Sequence, residues 1–213
     1  MRKFLFCIII LCLVTHVSFA TAQYPDKIWY KGKEYALHTN PLEEFFDKNP
    51  DRRPQSDIMS TALWRGYIGT FEFDGDQLIV KEIEVMVPSN NGDKWKSVLK
   101  EIFPDEPVVK ISWISGILVL PYGKIKNYVH MGYASTYSHY ILLEVDNGVL
   151  KKEKQLDGDR YDAFKTRQFE AFKLTDEYKT LKADMMKQEN SSEASVDEFI
   201  RIYAISYSKK LVD

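Results

Sequence analysis

The chain has 213 residues, 45% hydrophobic and 28% charged, with 29 basic residues against 31 acidic ones. That near-balance leaves no basic surplus to hold nucleic acid or an anionic membrane surface. Both cysteines, Cys7 and Cys12, sit in one apolar run at the start, so the rest of the chain holds no disulfide, thiolate zinc site or cysteine nucleophile.

In chain order, the first element reads as an export signal over residues 1–22. Arg2 and Lys3 give a positive start, and Phe4 to Val14 is an unbroken apolar run. A membrane-spanning helix needs about 20 apolar residues, so the run is too short for an anchor and suits a signal core. Ala20-Thr21-Ala22 matches the small-residue cleavage pattern, with Ser18-Phe19-Ala20 as a second choice. Lipid attachment at Cys12 would need a small residue before it, and Leu11 stands there. Cleavage after Ala22 leaves one α+β domain, 23–213, with 27 basic and 31 acidic residues and no cysteine. The expectation is an exported protein, periplasmic or extracellular, with no transmembrane segment after signal removal.

Ile28-Trp29-Tyr30 and Tyr35-Ala36-Leu37 flank Lys31-Gly32-Lys33-Glu34, the pattern of a hairpin. Asn40 and Pro41 open a short helix through Phe46, which Asn49-Pro50 ends. The first strand-rich tract runs from Ala62 to Val87 and turns at Asp74-Gly75-Asp76. Trp95, Val98, Leu99, Ile102 and Phe103 then recur at helical spacing, predicting a helix over Asp93 to Phe103 that Pro104 terminates. The second strand tract spans Val108 to about Lys154 and turns at Asn147-Gly148. After Gly158 the period becomes helical: one helix over Arg160 to Phe172, one opening at Thr175, and one capped by the box Ser195-x-x-Glu198. The predicted architecture is therefore α+β: an antiparallel meander with one inserted helix (sheet-rich 24–156), followed by C-terminal helices (159–210).

No phosphate-binding glycine loop, nucleophile elbow or zincin motif occurs. Asp157-Gly158-Asp159 lacks the alternating order of a calcium loop and reads as a turn into a helix. His130 and His139 lack ligand-like spacing, so neither a metal nor a cofactor is expected. The one unusual stretch is Asn127 to Tyr140, which carries four tyrosines and two histidines around Gly132. Tyrosine offers a rigid apolar face with a polar tip, and histidine a group that titrates near neutrality. Tyr128, His130, Tyr133, Tyr137 and His139 are the candidate binding residues. The same run also reads as plain strand, with period two placing Tyr133, Tyr137 and His139 on one face and Ser138 and Tyr140 on the other.

Trp64-Arg65-Gly66-Tyr67 leading into Gly69-Thr70-Phe71-Glu72, then Trp113-x-x-Gly116, then Tyr128 to Tyr133, resembles a group of uncharacterised bacterial exported proteins over about Trp64 to Leu156. The resemblance implies a bacterial origin and no particular activity. Two functions remain in view. One is an envelope binding module for a protein or small ligand, an immunity-type protein being one variant. The other is a small metal-independent hydrolase using His130 or His139 as general base beside a carboxylate.

Overall fold

The computed structural model describes residues 22–58, 60–130, 132–187 and 192–213. The segment read as an export signal lies outside the described residues up to its last position, Ala22, as do residues 188–191. The fold is α+β, with nine strands in one mostly antiparallel sheet and six helices among the described residues. No described helix is long and apolar enough to cross a membrane.

Tight turns fold the sheet locally. Strands β1 (Asp26–Tyr30) and β2 (Lys33–Leu37) meet at Lys31-Gly32, where both residues have positive φ, the geometry that matches strand twist. Gly75, at φ +61°, begins the turn between β3 (Tyr67–Asp74) and β4 (Gln77–Val87). Asn147 and Gly148 do the same between β8 (Thr136–Asp146) and β9 (Val149–Asp157). Strand β7 (Gly116–Asn127) pairs with β8, while β5 (Lys94–Ser97) and β6 (Val109–Lys110) both lie against β4.

The strand order is β2-β1-β3-β4-β9-β8-β7, which is not a plain meander, because β1 runs parallel to β3 and β9 meets β4. The β4–β9 junction is short: Gln77 faces Val149, flanked by Leu78 N–H to Gly148 O and Leu150 N–H to Asp76 O, both 2.8 Å. At the far edges the sheet curls until β2 and β7 approach, where His38 N–H donates to Val119 O at 2.8 Å and the Tyr35 and Tyr122 rings touch. Pro121 has no N–H to give, so β7 carries it at the sheet edge, where a ladder bond is not required.

The curl encloses the main core: Ile28, Leu37, Phe71, Leu78 and Ile83 from one half face Leu118, Leu120, Ile141, Leu143 and Val145 from the other. Helix α1 (Glu43–Lys48) closes one end by inserting Phe45 and Phe46 against Tyr67, Phe103 and Trp113. The continuous apolar runs of β7 and β8 have a second buried face. Ile117, Val119, Tyr140 and Leu142 pack outward on Phe164 of α3 (Gly158–Phe172) and on Ile205 and Leu211. Buried Glu144 accepts Leu211 N–H at 2.8 Å, docking the C-terminal tail on the sheet. Helices α4 (Asp176–Met185), α5 (Glu193–Ile202) and α6 (Ala204–Tyr207) complete a small helical core with Phe169 and Phe172. Each such buried aromatic or aliphatic side chain contributes about 1.5–3 kcal/mol.

Two local expectations are corrected. Asp93 to Phe103 is not one helix: Lys94–Ser97 forms β5 and only Leu99–Ile102 forms α2. Trp95 faces Met86 in the β4 register and is 38% exposed, while Val98, Ile102 and Phe103 are buried. Pairing with the β4 edge satisfies backbone groups that no local periodicity can see, and that outcompetes a weak helical preference. The last amphipathic helix also begins a turn early. Ser192 accepts from Ser195 N–H at 3.2 Å, and Ser195 Oγ accepts from Ser192 N–H at 3.0 Å, so both serines serve one capping box.

Candidate functional site

The candidate surface lies where β7 runs past the sheet into the loop joining it to β8. At Gly123 (φ +83°) an added Cβ would meet Ser138 Oγ at 2.2 Å, so only glycine lets the strands approach there. The register shifts beside it, and Lys124 to Tyr128 project as an exposed arm. Ile125 is 54% exposed and Tyr128 55%, and the Tyr128 ring meets the exposed His130 edge-on at 4.7 Å. The hydroxyl of Tyr128 stands 3.5 Å from His130 Nδ1.

The root of the loop is tied down. Ser135 Oγ accepts from Val129 N–H and donates to Val129 O. Tyr133 donates its hydroxyl to Asn40 Oδ1 at 2.9 Å, and its ring stacks on His38 with centroids 4.6 Å apart. Asn40 Oδ1 also accepts from Arg65, whose guanidinium donates to Asp26 Oδ2 at 2.9 Å and to Tyr24 O at 3.0 Å. Asp26 Oδ1 accepts from Gly69 N–H at 2.8 Å. A Cβ on Gly69 would lie 2.8 Å from the Phe71 ring, so glycine there brings its backbone amide within reach of Asp26.

This base is a low-dielectric cluster. Asp26 is fully buried, and burial pushes its carboxyl up to about 6 against the pull of Arg65 and the Gly69 amide. Burial pushes the His38 imidazole down to about 4 and the Tyr133 phenol up to about 12. A neighbouring set extends it: Tyr67 donates to Glu43 Oε1 at 2.6 Å, and Arg53 holds the same carboxylate with two hydrogen bonds.

The five sequence-predicted residues are thus split among three environments. Tyr128 and His130 form the exposed arm; Tyr133 and Tyr137 both touch His38 inside its root. His139 stands apart, stacked on its cross-strand partner Tyr122 and 2.9 Å from Ser138 Oγ. The expected shared face of Tyr133, Tyr137 and His139 does not form, because Tyr133 precedes the strand and the register slips beside Gly123. Among the described residues neither His130 nor His139 hydrogen-bonds or ion-pairs with a carboxylate, although Asp157 lies opposite His139 in the β8–β9 register; a Ser–His–Asp triad would hold its base by such a bond. Among the described residues no group of three His, Cys, Asp or Glu side chains gathers as metal ligands would.

Sequence reasoning placed none of Asp26, His38 and Arg65 at a site and read Asn40 as opening a helix through Phe46, whereas that helix spans Glu43–Lys48 and the Asn40 side chain accepts from Arg65 and Tyr133. One signal was available: Asp26, Ile28 and Tyr30 share one parity in β1, so a carboxylate stands in line with core residues and requires a buried cation. Compared with known proteins, the chain matches no family model, no curated protein and no solved structure.

Proposed function

We propose that the protein is an exported binding module of the cell envelope, which presents Ile125, Tyr128 and His130 to a partner. The observation that carries this reading is the contrast within one loop. Its outer side chains are exposed and uncommitted to the core, while its root is fixed through Tyr133 to a buried ion pair. A rigid base lowers the ordering cost of binding, and tyrosine brings contact area with few torsions to freeze. Against the hydrolase reading stands that, among the described residues, the hydrogen-bond partners of both histidines are hydroxyls.

The test compares immobilised wild-type mature protein with the double variant Ile125→Ala, Tyr128→Ala in capture from an envelope extract. The variant is expected to lose the captured partner while its unfolding free energy shifts by about 1 kcal/mol or less, as for exposed positions. Retention of every wild-type partner by the folded variant overturns the reading.

A further inference from the structure

Asn91 in the β4–β5 turn and Asn147 in the β8–β9 turn are each followed by glycine, and their surroundings differ. In such a pair the glycine amide nitrogen can reach the asparagine side-chain carbon, because glycine carries no side chain to obstruct it and asparagine is a thermally labile residue. Reaction then depends on how freely the backbone between the two can rotate.

Asn147-Gly148 is locked. Gly148 is buried; its N–H donates to Ile114 O at 2.9 Å, and its carbonyl accepts from Leu78 N–H at 2.8 Å. A Cβ at Gly148 would lie 1.8 Å from Ile111 O, so main chain presses directly on it. Asn147 N–H donates to Ser115 Oγ at 2.9 Å, and its side-chain amide donates to Asp146 Oδ1 at 3.2 Å. Freeing the Gly148 nitrogen therefore requires parting the junction between this turn and β4.

Asn91-Gly92 is open. Every residue from Pro88 to Ser97 is exposed. Gly92 N–H donates within its own turn, to Ser89 O at 3.1 Å, and a Cβ at Gly92 would meet nothing within 4 Å. The sheet register resumes at Val87 opposite Lys94, so the turn can open without unpairing β5 from β4.

We propose that Asn91 is a self-modification site, which deamidates through a cyclic imide with water as co-reactant, while the fold protects Asn147. The Gly92 nitrogen gives up its proton and bonds to the Asn91 Cγ; the Cγ–Nδ2 bond breaks and ammonia leaves with that proton. Water then opens the five-membered ring at one of its two carbonyls, leaving an aspartyl or an isoaspartyl residue at position 91. Either product adds a carboxylate beside Asp93, and the isoaspartyl form lengthens the main chain of the turn by one methylene. The inference goes beyond the binding reading and is independent of the arm at Tyr128.

The mature chain is incubated in mildly alkaline buffer, which favours loss of the Gly92 amide proton, with and without denaturing urea, and is then digested for peptide mass mapping. In the folded protein the peptide holding Asn91 should gain about one dalton about tenfold or more faster than the peptide holding Asn147. In urea both turns are open, and the two rates should come within about threefold of each other. Asn91→Gln, whose longer side chain would have to close a six-membered ring, should abolish the gain in its peptide. Similar rates at the two sites in the folded protein overturn the proposal. So does a ratio that persists unchanged in urea, because the fold would then not set it, or a gain that survives Asn91→Gln.

Discussion

Arg65→Ala is expected to lower the unfolding free energy by about 3–5 kcal/mol, a large share of the stability of a domain this size. The substitution strands Asp26, which is fully buried 2.9 Å from the lost guanidinium. It also removes hydrogen bonds to Asn40 and Tyr24 O, so the loop root at Tyr133 and the N-terminal segment loosen together. Breaking one side of a buried pair costs far more than the pair's net worth, because the remaining ion keeps its desolvation penalty. Urea denaturation of the two proteins measures the effect. Arg65→Ala, Asp26→Asn should recover part of the loss, since a neutral amide can still accept the Gly69 N–H. A single variant within about 1 kcal/mol of wild type would mean that water reaches the cluster and the base of the loop is not rigid.

The second large effect concerns pH. The folded protein holds the Asp26 proton up to about pH 6, against 3.8 for a free side chain. Its contribution is therefore fully present below pH 3.8 and is lost as pH rises through about 6. His38 has the opposite sign: its imidazole stays neutral down to about 4, against 6.5 when free. Its contribution is present above pH 6.5 and is lost as pH falls through about 4. Across pH 4–6 the two slopes oppose each other, so wild-type stability gains little net pH dependence from this cluster. His38→Phe, which keeps a ring against Tyr133, should expose the Asp26 slope. Relative to wild type, it should gain on the order of 2–3 kcal/mol between pH 6.5 and 4. Asp26→Asn should lose a similar amount over the same interval. Parallel pH profiles for wild type and both variants would show that neither group titrates abnormally.

Both effects belong to residues that the sequence presents as unremarkable. Asp26 is the first residue of the opening hairpin, His38 follows it, and Arg65 sits in a turn before β3. Parity along β1 points Asp26 inward, but nothing local names Arg65 as its partner, because the parallel pairing of β1 with β3 brings the two together.

The sequence by itself determined what depends on neighbours along the chain. Turns at Lys31-Gly32, Gly75-Asp76 and Asn147-Gly148 follow from residues that tolerate positive φ, and the caps at Asp157 and Thr175 from side chains that reach the next amides. The apolar runs of β7 and β8 and the switch to helical period after Gly158 gave the α+β order by the same short-range chemistry. The tertiary structure alone decided the rest. Lys94 to Ser97 became a strand because the β4 edge offered backbone partners, against a side-chain spacing that fits a helix. The Tyr–His stretch was divided between exposed arm, buried root and sheet edge because a bulge at Gly123 shifted the register. Local propensity fixes the turns and the strongly patterned strands; which side chains meet, and whether a segment such as Lys94 to Ser97 is strand at all, is set by pairing between segments, whose energy appears only once the chain has closed on itself.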